Sequence, residues 1–141
     1  MKKLIEYAKN VRLFFEREKE TIELPFFYSF PKNSCEGASC ILARLFMEKF
    51  PELCVEVIHG KNETDTENHF WVEVDGYVYD ITGDQFDEIT SPVYGQARHP
   101  MAHHFSSTKR YFASLFFIEY TKHAIDMEYA NKAYNYIKMG L

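Results

Sequence analysis

Three side chains able to share nucleophilic chemistry occur in the order Cys35, His69, Asp80. A carboxylate that accepts one imidazole N–H fixes the tautomer and leaves the other ring nitrogen free as a base, the orienting half of a nucleophile-base-orienter arrangement. A cysteine supplies the missing nucleophile if it sits where its thiolate is favoured. Helix N-termini offer that setting, because free N–H groups and the macrodipole stabilise an anion. Thiolates there or beside an imidazolium have pKa values lowered to roughly 3.5–7.5. The chemistry implied is thiolate attack on an amide or ester carbonyl, giving a thioester that water or an amine resolves.

The elements that must position these groups can be read from the chain. Asn68 to Phe86 has the pattern of a β-hairpin, with Val and aromatic residues in both arms and Asp75-Gly76 between them. That pair suits a two-residue type I′ turn, whose central residues both need φ > 0. Val74 then pairs with Tyr77, Trp71 lies opposite Asp80 and His69 opposite Thr82. Alternation places His69, Trp71, Val78, Asp80 and Thr82 on one face. His69 and Asp80 become diagonal neighbours, roughly 7–8 Å apart by backbone and within reach through their side chains. A three-residue loop would put them on opposite faces.

Cys35 opens a helix. Ser34 or Asn33 serves as N-cap, Glu36 lies in the first turn, and Pro51 marks the end. Ala38, Ile41, Leu42, Leu45 and Phe46 give it a buried face, making it the central helix. Cys40 lies further in, where the dipole has faded, and Cys54 falls in a strand, Cys54 to His59, that ends at Gly60. Both read as structural. His59 closes that strand in a surface or packing role, and a polar loop over 60–68 delivers the chain to His69.

Residues 2 to about 20 form an amphipathic helix through Leu4, Ile5, Ala8, Val11 and Phe15. Prolines bound an aromatic connection from Leu24 to Lys32, which could wall a cleft ahead of Cys35. From Ser106 onward a rough stripe of Tyr111, Leu115, Ile118 and Tyr120 suggests a helix, although Phe116-Phe117-Ile118 is equally compatible with a strand. Ile125 to Met139 reads as a helix through Tyr129, Lys132, Ala133, Tyr136 and Ile137, ended by Gly140. His99, His103 and His104 invite a metal reading, since histidines at i and i+4 share a helical face. Pro100 is acceptable only in the first turn of such a helix and no histidine-glutamate zincin pattern accompanies it, so neither a metal nor another cofactor is expected.

At 141 residues, without repeats or linkers, the chain fits one domain spanning 1–141. The formal net charge of −5 disfavours nucleic acid and anionic membranes, which call for clustered Lys and Arg. Charges at Glu6, Lys9, Arg12, Glu16 and Arg17 interrupt any secretory apolar segment, and no stretch approaches the 18 or so apolar residues of a membrane span. An odd number of cysteines, three, suits a reducing compartment, and the expectation is cytoplasmic.

Taken together, the helix opening on Asn33-Ser-Cys35-Glu-Gly-Ala, the Val-Glu-Val-Ile-His-Gly strand, and His69-Phe-Trp71 followed by Asp80-Ile-Thr resemble the transglutaminase-like core of the papain-like cysteine fold. Tyr79-Asp80-Ile-Thr-Gly-Asp-Gln-Phe86 resembles a motif of small uncharacterised bacterial members of that group. The resemblance covers residues 33–86 and implies an α+β fold, with the cysteine-bearing central helix packed on a small antiparallel sheet and flanked by N- and C-terminal helices. It implies Cys35 as nucleophile, His69 as base and then acid, and Asp80 as orienter, acting on a protein, peptide or small amide. Cys35 N–H would be one oxyanion donor, and Asn33, Tyr28, Trp71 and Gln85 are candidates for the second donor or for substrate contact. Amidase, peptidase, glutamine deamidase and transglutaminase remain open. The alternative from another class is a binding protein that retains the fold without turnover.

Overall fold

The computed structural model describes residues 1–141. Its helices are α1 (Lys2–Glu18), α2 (Cys35–Lys49), α3 (Ala113–His123) and α4 (Met127–Gly140). Its strands are β1 (Val55–Lys61), β2 (Asn68–Val74), β3 (Tyr77–Asp80), β4 (Val93–Gln96) and β5 (Ser107–Phe112). The strands form one sheet in the order β4-β3-β2-β1-β5, every neighbouring pair antiparallel. The protein is therefore α+β.

The β2–β3 hairpin has the register its turn dictates. Asp75 and Gly76 have φ of 49° and 86°, and Val74 pairs with Tyr77 and Val72 with Tyr79. Alternation then divides the sheet. Phe70, Val72 and Val74 face the main core, which α1, α2, α3 and α4 complete with Phe15, Ile41, Phe46, Phe116 and Ile137. Trp71 and Val78 face the other side, where Ile58, Ile89, Val93, Met101 and Phe105 form a smaller apolar cluster beneath the chain between β4 and β5.

α2 packs on β1, β2 and α3, so it is buried on nearly every side: Gly37, Ser39, Cys40 and Ala43 are covered as well as the five residues of its expected face. Ser34 is its N-cap position, but the Ser34 hydroxyl donates to Pro31 O (3.1 Å) instead of capping the helix. On α1, the buried stripe of Leu4, Ala8, Val11 and Phe15 also includes Arg12.

Three expectations need correction. Ser107–Phe112 is a strand, not part of a helix, and Phe116-Phe117-Ile118 is helical. Pairing with the central strand β1 overrides the weak local signal, and Lys109 and Arg110 along this edge oppose further edge-to-edge pairing. Cys54 is exposed and precedes β1, tied by its N–H to Asp75 Oδ1 (2.9 Å). On α4 the buried residues are Ala130, Ala133, Tyr134 and Ile137, leaving Tyr129 and Tyr136 exposed. No helix is long and apolar enough to cross a membrane.

Candidate active site

Cys35 is the first residue of α2, half-buried, with its helix axis ending at an open cleft of ≈ 890 Å³. Asn33, Glu67, Gln85, Phe86 and Tyr120 line the cleft with it. A second concavity of ≈ 900 Å³ lies against α1, α2 and α4, lined by Tyr7, Glu48, Lys49 and Tyr134, and no cysteine, serine, threonine or histidine lines it. Chemistry therefore selects the cleft at Cys35. Of the other two thiols, Cys40 is buried and its pKa is pushed up chiefly by that burial, and Cys54 lies outside the cleft.

His69 and Asp80 meet as the hairpin register requires. The His69 Nε2–H donates to Asp80 Oδ2 at 2.7 Å, with both side chains excluded from solvent. Burial by itself would lower the His69 pKa. The charge and hydrogen bond of Asp80 outweigh it, the Cys35 thiol adds to them, and the value rises to about 10. Burial would likewise raise the pKa of Asp80, but His69 and then His99 hold it well below the usual carboxylate range. Nδ1 of His69 makes no conventional hydrogen bond. With Nε2 committed to Asp80, Nδ1 is the ring nitrogen left unpaired.

The polar cluster that the fold buries is nonetheless His69, Asp80 and His99, not the Cys35, His69, Asp80 set expected from the sequence. His99 Nε2–H donates to the same Asp80 Oδ2 at 2.8 Å. Oδ1 accepts from the Thr82 N–H (3.1 Å) and from the Thr82 hydroxyl (3.3 Å). Cys35 stands outside this cluster on the cleft wall, and the His69 ring has no surface in the cleft. Phe86 covers it edge-on, ring centroids 4.8 Å apart.

The four secondary candidates separate. Asn33 and Gln85 reach the cleft, and Asn33 N–H donates to Gln85 Oε1 at 3.4 Å. Tyr28 does not line the cleft; it is 70% exposed on the 3-10 turn Phe27–Ser29. Trp71 is a core residue, 3% exposed, tilted against His99 with ring centroids 4.3 Å apart and its Nε1–H donating to Glu73 Oε2 (3.2 Å). It lies on the sheet face covered by the β4–β5 connection and does not line the cleft.

The helical face that His99 and His103 could have shared does not form, because residues 100–104 are turns. His99 points inward to Asp80, His104 pairs with Glu67 (2.9 Å), and His103 is exposed. Two imidazoles and one carboxylate within 4.8 Å of one another are the donor set of several metal sites. The tautomer does not fit that use. Met101 N–H donates to His99 Nδ1 (3.0 Å), so Nδ1 presents its lone pair and Nε2, aimed at Asp80, carries the proton.

The bond from His99 to Asp80 escaped sequence reasoning because the two residues are distant in the chain and no periodicity links them. Its only signal was a histidine beside a proline in a loop whose apolar neighbours, Met101 and Phe105, pack inward. A scan against protein-family models and searches of curated proteins and solved structures return no match to this chain.

Proposed function

We propose that this protein is a cysteine-dependent acyl-transfer enzyme of the transglutaminase-like, papain-like kind, acting on a protein, peptide or small amide in the cytoplasm. One observation carries the reading: a buried imidazole holds a carboxylate on one nitrogen, keeps the other unpaired, and is close enough to a thiol at the tip of the central helix, beside an open cleft, for that thiol to raise its pKa. Cys35, His69 and Asp80 follow one another from a helix start to two arms of one hairpin, the order and placement that the resemblance implies.

In this mechanism Cys35 gives its proton to His69 Nδ1 before attack, forming the imidazolium that the raised pKa favours; sulfur then attacks the carbonyl carbon, and Nδ1–H protonates the departing amine or alkoxide. Cys35 N–H, unpaired at the helix start, faces the developing oxyanion. Asp80 stays ionised and stabilises the imidazolium. Water or an amine then enters along the same path to release the acyl group. All three cysteines are free of disulfides, which suits a reducing compartment.

The buried His69 ring favours a second reading, a binding protein with the fold but no turnover. Alkylation by iodoacetamide at about pH 6, below the ordinary thiol range, separates the two. The enzyme reading expects Cys35 to react faster than the more exposed Cys54, and His69→Ala to abolish that advantage. Equal rates at both thiols, unchanged in His69→Ala, would assign the cleft to binding. Mass spectrometry of the wild-type protein after incubation with lysate should then find an acyl adduct on Cys35 only in the first case.

A further inference from the structure

We propose that His99 is a positioning residue for this site, donating from Nε2 to clamp the Asp80 carboxylate so that Asp80 can in turn orient His69 toward Cys35. The proposal deepens the acyl-transfer reading and rests on it. Three features make His99 a built part of the arrangement. Its ring is buried at 5% exposure, it donates to Asp80 Oδ2 at 2.8 Å, and its Nδ1 accepts the Met101 N–H at 3.0 Å. The backbone thus chooses the tautomer. A proton on Nδ1 would face another N–H, so the proton resides on Nε2, where the carboxylate needs a donor.

The ring plane is fixed as well. Trp71 lies against it at 4.3 Å and 33°, and the turn that carries it is closed by Ala102 N–H to His99 O (3.0 Å) and Phe105 N–H to Met101 O (2.9 Å). With Thr82 holding Oδ1 and His99 holding Oδ2, rotation of the carboxylate would break bonds on both oxygens. His69 therefore meets an acceptor of set direction. Because two N–H groups share Oδ2, His99 also draws charge away from the bond to His69 and moderates how strongly Asp80 retains the imidazolium.

A purely structural His99 would only tether the β4–β5 connection to the sheet, and the test must tell the two apart. Histidine-selective 15N labelling of the intact wild-type chain, read by long-range 15N–1H correlation, should show His99 protonated on Nε2 and bare on Nδ1. His99→Phe keeps a ring against Trp71 but removes the donor; it should slow Cys35 alkylation at about pH 6 by about tenfold, the order expected for one charge-assisted hydrogen bond. Its pH–rate profile should shift, and the His69 ring signals should move with it. His99→Gln, which restores an N–H donor, should recover most of the rate.

Wild-type alkylation in both rate and pH profile for His99→Phe, together with unmoved His69 signals, would overturn the proposal. So would a His99 proton on Nδ1, or stoichiometric zinc in the wild-type protein that His99→Phe loses. If His99→Phe fails to fold, the tautomer in the wild type and the rate of His99→Gln against His99→Asn, too short to reach Asp80, decide the matter. Failure of the underlying reading looks different: Cys35 would then alkylate no faster in wild type than in His69→Ala, whatever residue 99 is.

Discussion

Asp80 gathers four hydrogen bonds on two buried oxygens, two from imidazoles and two from Thr82, and that census decides its charge. A carboxylate can only accept when ionised, and every group around it donates. Asp80→Asn replaces one acceptor by an NH2 group facing imidazole N–H groups. Breaking a buried charged pair on one side typically costs about 3–5 kcal/mol, and this variant should lose stability of that order in urea unfolding. The pH dependence follows from the directions of the two shifts. His69 has its folded pKa raised, so its contribution is fully present below the unfolded value of about 6.5 and is lost as pH climbs toward about 10. Asp80 has its folded pKa depressed, so its contribution is present above about 4 and is lost only as pH falls below that. Wild-type stability from this pair should therefore be greatest between about pH 4 and pH 6.5 and decline on the alkaline side. Asp80→Asn should flatten that alkaline decline, and a wild-type decline of the same steepness in the variant would show that the pair does not control it.

At the scale of elements, the hairpin and the central helix were legible because each is specified locally. Asp75-Gly76 favours the two-residue turn, the turn fixes register, and register fixes that His69 and Asp80 share a face. The start of α2 was similarly marked by Ser34 and its end by Pro51. β5 was not legible, since an exposed edge strand needs little alternation and is made by its partner β1. His99 and Arg12 were hidden for a related reason: each is a polar residue buried by a contact far away in sequence, Asp80 for one and Asp84 for the other. Gly60 tests how tightly β1 supports the site. It pairs with His69, and a Cβ there would come within 2.7 Å of the Trp71 ring and 2.9 Å of Phe105 Cβ. Since Trp71 carries the ring of His99, Gly60→Ala should both destabilise the fold by about 1–3 kcal/mol and slow Cys35 alkylation. Thermal unfolding and the alkylation rate measured on one preparation check this; a stability loss with the rate intact would mean that Trp71 does not transmit position to the site.

Across the whole molecule, the candidate site exists only because three parts of the chain close on one corner of the sheet: the tip of α2, the turn after β3, and α1 from the opposite end of the sequence. Arg12 makes the last connection. Its guanidinium donates through Nη1 to Asp84 Oδ1 (2.6 Å) and Ile81 O (2.6 Å), and through Nη2 to Asp84 Oδ2 (2.9 Å). Nε donates to Glu16 Oε1 (2.6 Å), and the ring of Phe30 lies 5.0 Å below. The turn so held contains Gln85 and Phe86, which line the cleft, and Phe86 is the cover of His69. A planar fork satisfies two carboxylate oxygens and a carbonyl at once, and an ammonium cannot reproduce that geometry. Arg12→Lys should therefore lower stability despite conserving charge, by about 1–3 kcal/mol, the cost of leaving buried acceptors unmet. More tellingly, it should loosen Phe86 over the imidazole. Hydrogen exchange of the residue 83–86 amides should accelerate in Arg12→Lys, and the Cys35 alkylation profile should change with it, although Cys35 makes no hydrogen bond to Arg12. Unchanged exchange in that turn alongside lowered stability would confine Arg12 to anchoring α1 and leave the cover of His69 to the packing of Phe86 against Phe105, ring centroids 5.7 Å apart.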